Sequence, residues 1–260
     1  MNITVFGASG GIGGHVVALA VRRGHQVRAV FRTAPRDPLS GRAEAIVGPD
    51  ICDPGFASGA VRDADVVVSA VGPNFATRHN PRTAMISPAD LHQRVARTLT
   101  SAIRDHAASA RLITVSTASM GPADDAMGLG PRLLFRFFRT VAVPNLGRVG
   151  EDLRAMEDVL SASGLDWYAL RPVKLTDGPQ TGNVQVSDRV KVKSISRADV
   201  AWQILAVAEE PAPSVPRVPV IVAGSGKTRG PQAQADGTDG TDGTDGADGA
   251  DGQARTAMRR

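Results

Sequence analysis

The sequence predicts an α/β protein, a doubly wound parallel sheet with a small C-terminal lobe. Three observations carry that expectation. Strand-like and helix-like segments alternate from the start to about residue 223. A glycine-punctuated turn, Gly7-Ala8-Ser9-Gly10-Gly11-Ile12-Gly13, joins the first strand to the first helix. The stretch Val66-Val67-Val68-Ser69-Ala70 is almost wholly apolar, as a strand covered on both faces must be.

Each element has a local reason. Residues 3–6 are an apolar run ending in glycine, and a helical pattern follows at 15–23, stopped by Gly24. Residues 26–30 alternate apolar side chains and read as the second strand; 45–47 is a short third. Asp65 leads into the fourth strand at 66–70. Ser87-Pro88-Ala89-Asp90 combines a Ser N-cap, Pro at the first helical position and an acid behind it, predicting a helix to about residue 108. A fifth strand is expected at 112–115, a helix at 151–163 stopped by Gly164, and a sixth strand at 167–170. A last helix at 199–208 and a last strand at 218–222 complete the order, with right-handed crossovers between parallel strands.

From about Gly224 the apolar periodicity ends, and residues 236–252 run as Asp-Gly-Thr and Asp-Gly-Ala repeats. Such a stretch has nothing to bury against its ordering entropy, so 224–260 is expected to be a solvated, disordered tail. The folded domain is expected over 1–223, with about 120–147 and 173–197 on the side where a substrate would enter. Gly224-Ser-Gly-Lys-Thr228 imitates the end of a phosphate-binding loop, but Ile221 stands where that motif needs its first Gly.

Composition narrows the function. Of 260 residues 42% are hydrophobic, enough for a full core. The one cysteine, Cys52, excludes a disulfide framework. His15, His25, His79, His92 and His106 form no metal-ligand spacing with each other or with Cys52, so no metal is expected. The net charge of +4 is scattered, and only ten aromatic residues are present, which argues against nucleic-acid binding. The apolar run 16–21 is far too short to cross a bilayer, so a cytoplasmic, membrane-free protein is expected, working as a monomer. The Ala, Gly and Arg excess suggests a high-GC genome.

The chemistry centres on the glycine turn. Glycines at 7, 10 and 13 after a strand and before a helix let a backbone approach a pyrophosphate, while the helix N-terminus offers N–H donors. The end of the second strand then discriminates between dinucleotides. An NAD site places an acid there, whereas this chain has Phe31-Arg32-Thr33 with Arg36 behind and no acid before Asp37. A guanidinium pairs with a 2′-phosphate and an acid would repel it, so NADPH/NADP+ is the expected cofactor.

The Gly-x-x-Gly-x-x-Gly spacing resembles the short-chain dehydrogenase/reductase superfamily, in particular its atypical NAD(P)H-binding branch, which includes nitrogen-repression regulators and biliverdin-type reductases. Several further motifs agree in order. Asp50-Ile51-Cys52-Asp53 is similar to the acidic turn after the third strand, whose first Asp and next residue contact adenine. Ser69-Ala70-Val71-Gly72 resembles the glycine-ended fourth strand beside the cofactor ribose. Ser163-Gly164-Leu165 followed by Arg171-Pro172, and Ile195-Ser196-Arg197-Ala198-Asp199-Val200-Ala201, resemble two later segments of the branch. The resemblance implies a Rossmann-type fold over 1–223. It also implies cofactor contacts at Gly7, Ser9, Gly10, Gly11, Ile12, Gly13, Arg32, Arg36, Asp50, Ile51, Ala70, Val71, Gly72, Pro172 and Val173, the last beside the nicotinamide.

One departure stands out. Most of the superfamily reduces carbonyls with a Ser, and with a Tyr and Lys spaced Tyr-x-x-x-Lys on a helix. Here the only tyrosine, Tyr168, falls on a strand, and Pro172 stands four residues on. Ser116, with Thr117 at the end of the fifth strand, occupies the matching place for the Ser and is the one catalytic candidate, as a hydrogen bond positioning a carbonyl. Leu133-Leu134-Phe135-Arg136-Phe137-Phe138 reads as a lid over an apolar or aromatic small-molecule substrate. Within the branch, the likeness is nearest to tailoring ketoreductases of aromatic polyketide antibiotics. A flavin/biliverdin-type or quinone reductase and a non-catalytic NADP(H)-sensing regulator remain as alternatives.

Overall fold

A strand that is buried on both faces needs helices on both, and the alternation of side chains along β-strands sorts the core into two layers. The computed structural model describes residues 1–36, 39, 41–72, 89–118, 144–187, 194–211 and 220–224. The strands are β1 (Asn2–Phe6), β2 (Gln26–Phe31), β3 (Ala43–Val47), β4 (Val66–Ser69), β5 (Arg111–Val115) and β6 (Trp167–Pro172), then β7 (Lys174–Thr176), β8 (Val184–Ser187), β9 (Ser194–Ser196) and β10 (Val220–Gly224). The helices are α1 (Gly11–Arg22), α2 (Pro54–Val61), α3 (Leu91–His106), α4 (Pro144–Ala162) and α5 (Arg197–Glu209).

The main sheet has eight strands in the order β3-β2-β1-β4-β5-β6-β10-β8. All neighbouring pairs are parallel except β10 with β8, which is antiparallel. The order reverses between β1 and β4, so the two crossovers leave a crevice at their C-terminal ends. Val66 and Val68 of β4 pack with α1 and α5, while Val67 packs with α2, α3 and α4. Three valines in a row thereby serve two cores, the reason this strand carries no alternation.

Several expected boundaries move. α1 begins at Gly11, four residues before the apolar pattern suggests, because its first turn is built of the glycines themselves. α2 was not expected; Asp53 caps it, its Oδ1 accepting the Phe56 N–H at 2.7 Å, and Pro54 opens it. α3 starts at Leu91, with Ala89 and Asp90 in a turn rather than in the helix, and ends at His106. Ser87 and Pro88 lie outside the described residues. The cap of α3 comes from elsewhere in the chain: the Asp152 carboxylate on α4 accepts the backbone N–H groups of His92 and Gln93, both at 2.9 Å. α4 starts at Pro144, so residues 144–147 belong to a helix of the main body.

In the segment 173–197, β7 pairs only with β9 in a two-stranded parallel sheet, whereas β8 extends the main sheet. These short strands carry too few residues for a period to show in the sequence. The chain divides into Met1–Gly230 and Pro231–Arg260, and only the first contains described residues. The lid segment 133–138 and the Asp-Gly repeat lie outside them.

Candidate active site

Gly7 ends the turn out of β1 with φ of +79°, a conformation costly for any residue with a Cβ. A Cβ there would also stand 2.7 Å from the Ala70 carbonyl oxygen. The Gly10 N–H closes the turn on the Gly7 carbonyl at 2.9 Å, and a Cβ at Gly13 would lie 2.2 Å from that same oxygen. Gly7 and Gly13 therefore pull α1 against the ends of β1 and β4. Gly10 is the N-cap and offers no side chain, so the first N–H groups of α1 face outward.

These N–H groups open on a cavity of 670 Å³ at the crevice between β1 and β4. The turn contributes Gly7, Ser9, Gly10, Gly11 and Ile12 to its wall; β2 contributes Val30 and the adjoining Arg32. The loop after β3 adds Pro49, Asp50, Ile51 and Cys52, and the end of β4 adds Ala70, Val71 and Gly72. Leu91 and Arg94 of α3, and Arg197 of α5, complete it. Of the residues expected at a cofactor, Gly13 sits beneath the turn, and Arg36 is exposed and does not line the cavity. Pro172 is buried in β6, and Val173 packs against the α1–α5 core rather than lining this cavity.

The electrostatics of the cavity are one-sided. Its walls carry three guanidinium groups, Arg32, Arg94 and Arg197, and one carboxylate, Asp50. The Asp50 Oδ1 accepts the Cys52 N–H at 2.8 Å, which fixes the turn. Burial pushes the Cys52 thiol above its ordinary value, with Arg94 pulling the other way. Arg32 is exposed, and among the described residues it has no ion pair.

Arg197 lies over the start of α1: a Cβ on Gly11 would be 2.6 Å from its Cδ. It pairs with Asp177. Next to it, buried Asp199 accepts the Thr181 N–H at 2.7 Å, the Gly182 N–H at 2.9 Å and the Thr181 hydroxyl at 2.9 Å. That network ties the loop after β7 to the first turn of α5. Neither Arg94 nor Arg197 was singled out from the sequence, although Arg197 stands inside the Ile195–Ala201 motif.

At the other side of β4, the register pairs Ser69 with Thr114 and Val115 with Leu170. Continuing it places Val71, Ser116 and Arg171 in one row. Ser116 is buried, and its hydroxyl donates to Glu157 Oε1 of α4 at 2.7 Å. Arg171 donates its Nε–H to that same oxygen at 3.0 Å and its Nη2–H to Oε2. The Ser116 proton is thus committed to a carboxylate already held by a guanidinium, and the oxygen is left as an acceptor.

Tyr168 is 2% exposed and faces the α1–α5 core, where Arg111 stands 5.4 Å over its ring. Among the described residues its hydroxyl has no hydrogen-bond partner, and burial raises the phenol above its ordinary value of 10.0. Arg111 opens β5, so the ring lies toward the opposite end of the strands from the glycine turn. His92 is buried with its Nδ1 2.7 Å from Asp152 Oδ2, a clamp between α3 and α4. His15 and His106 are exposed. No group of His, Cys, Asp or Glu among the described residues could hold a metal ion, and no helix among them is long and apolar enough to cross a membrane.

A protein-family model described as NAD(P)H-binding matches residues 7–211. The chain is 29% identical over 220 residues to YwnB of Bacillus subtilis (strain 168), an uncharacterized protein, covering 81% of this chain and 93% of that one. Its fold is similar to that of the anaerobillin reductase ChuY from Escherichia coli O157:H7, with a TM-score of 0.61, 22% identity and coverage of 88% and 100%. It is also similar to a candidate NADH-flavin reductase from Streptococcus pneumoniae TIGR4, with a TM-score of 0.63, 19% identity and coverage of 86% and 100%. A Lactobacillus casei protein is similar too, with a TM-score of 0.67, 21% identity and coverage of 86% and 100%. The glycine turn at a sheet reversal and a family match spanning nearly the whole described chain agree: this chain belongs to the NAD(P)H-binding family and has its Rossmann fold.

Proposed function

We propose that this NAD(P)H-dependent oxidoreductase is an NADPH-dependent ketoreductase acting on a large conjugated or aromatic carbonyl that carries its own activating group. The observation that carries the reading is the fixed polarity of Ser116. Its proton is given to Glu157, so it cannot donate to a developing oxyanion without breaking a charge-assisted bond. Tyr168, the chain's one tyrosine, is buried against Arg111 and is unsuited to the task.

The cleft residues fit the cofactor. The outward N–H groups at the start of α1, with Arg197 above them, suit the pyrophosphate. Arg32 suits a 2′-phosphate, and in the sequence no acid stands between it and Asp37. Asp50 and Ile51 suit adenine, while Ala70, Val71 and Gly72 let the ribose lie close to the end of β4. Bound NADPH supplies a hydride. The chain's part is to hold the acceptor beside Val71 and Ser116. An acceptor whose oxygen is hydrogen-bonded by its own neighbouring phenol, or whose charge spreads over a conjugated system, needs no further donor, and water can deliver the proton afterwards.

The substrate class rests on the resemblance to polyketide tailoring enzymes and on the apolar 133–138 segment, and with it goes a role in secondary metabolism. A second reading, reduction of a flavin or a linear tetrapyrrole, is favoured by the structural likeness to reductases named for those activities. The test follows NADPH oxidation with two related aromatic ketones, one bearing a phenol beside the carbonyl and one with that phenol methylated, and with FMN and biliverdin. Turnover of the free phenol at least tenfold faster than its methyl ether is expected. Equal turnover of the two ketones would sink the mechanism, and turnover of FMN or biliverdin alone would favour the second reading.

A further inference from the structure

The wall of the cavity carries a guanidinium, that of Arg94, which the cofactor reading leaves unused. Arg94 is the fourth residue of α3 and lies one turn from Leu91, so the two project from one helix face, and both line the cavity. Its side chain is exposed, and among the described residues it makes no hydrogen bond or ion pair.

General geometry then orders the cavity. Phosphates belong at the N-terminus of α1, and the ribose nearest the base belongs at the end of β2. Beyond that ribose, the remaining wall is Asp50, Ile51 and Cys52 from the loop after β3, with Leu91 and Arg94 from α3. Ile51 is buried and Leu91 half-buried, so this end is an apolar slot with one planar cation at its rim. The Arg94 charge reaches the Cys52 thiol across the slot. The other two guanidinium groups are already placed: Arg197 lies over the start of α1, and Arg32 stands at the end of β2.

Resting on the cofactor reading above, we propose that Arg94 stacks its guanidinium plane on the adenine ring of the bound dinucleotide. It thereby sets the affinity that NADPH and NADH have in common, while Arg32 sets the part that separates them. A guanidinium free of a carboxylate is planar and weakly hydrated, which suits it to a purine face, whereas an ammonium is a compact, strongly hydrated point charge.

The experiment measures equilibrium binding by the fluorescence of the reduced nicotinamide, using NADPH, NADH and reduced nicotinamide mononucleotide, which lacks adenosine. Arg94→Ala is expected to weaken NADPH and NADH by a common factor on the order of tenfold and to leave the mononucleotide unchanged. Arg94→Lys keeps the charge without the plane and should recover little of the loss. A loss confined to NADPH would assign Arg94 to the 2′-phosphate and overturn the proposal. Full recovery with Lys, an equal loss for the mononucleotide, or no loss at all would overturn it too. If the unaltered chain binds neither dinucleotide, the cofactor reading of the cleft itself fails, a result distinct from normal binding that Arg94→Ala does not change.

Discussion

Arg32 stands at the end of β2 in the wall of the cleft, while Arg36, four residues on, is exposed and does not line it. The two arginines should therefore separate in function. A charge-assisted contact with a phosphate contributes about 1.5–3 kcal/mol, so Arg32→Glu should weaken NADPH by roughly tenfold or more. NADH should change far less, and Arg36→Glu should change neither, as titration of both cofactors would report. Equal affinity of the unaltered chain for NADPH and NADH would remove the basis of this expectation. Ser116 and Tyr168 make a second pair. Ser116→Ala should lower turnover by much less than the roughly 10²–10³-fold that losing an oxyanion donor causes, because its proton already belongs to Glu157. Tyr168→Phe should leave kcat nearly intact, since its hydroxyl has no partner to lose among the described residues. Abolished reduction in the Tyr168 variant would mean that the phenol reaches the substrate.

At the scale of elements, α3 depends on α4 for its beginning. Its own N-cap, Asp90, makes no side-chain cap, and Asp152 takes over both N–H groups and the His92 ring. Burial alone would raise the Asp152 carboxyl, but the hydrogen bonds from the His92 ring and from the N–H groups of Gln93 and His92 outweigh it, and the carboxyl lies below its ordinary value of 3.8. A lowered carboxyl stabilises the fold fully above its ordinary value and loses that contribution as the pH falls through the lowered one. Asp152→Asn should cost about 1.5–3 kcal/mol at neutral pH and nothing in strong acid, where the two chains converge. Denaturant melts at a series of pH values would show it. A deficit independent of pH would mean that the charge contributes nothing. Because Leu91 and Arg94 ride on the first turn of α3, the variant should also weaken dinucleotide binding.

At the scale of the whole chain, the folded body closes with β10, which joins β6 to β8 and ends at Gly224. The residues after it include the Asp-Gly-Thr and Asp-Gly-Ala repeats of 236–252 and show no apolar pattern to bury. Truncation after Gly224 should leave the melting temperature and cofactor affinity nearly unchanged. A loss of several degrees on thermal melting would show that the tail docks on the body.

Much of this arrangement was legible in the sequence because its causes are local. The glycine turn, the valine run of β4, the Gly24 and Gly164 stops and Arg32 at the end of β2 each depend on neighbours within a few residues, and each stands where its pattern implies. Asp53-Pro54 announced α2 in the same way, and its cap signal went unread. Other features depend on distant partners. α3 is capped by a carboxylate 60 residues away, and the Ser116 proton is claimed by Glu157, 41 residues on. Arg94 and Arg197 reach one cavity from helices that the sheet order alone brings together. The sequence by itself determined the fold class and the glycine turn and Arg32 that line the cleft, because these depend on backbone shape and residue type at their own positions. Only the tertiary structure decided which way the Ser116 hydroxyl donates and which guanidinium groups share the cleft, because hydrogen-bond polarity and the convergence of two opposite helical layers on one sheet end are properties of partners.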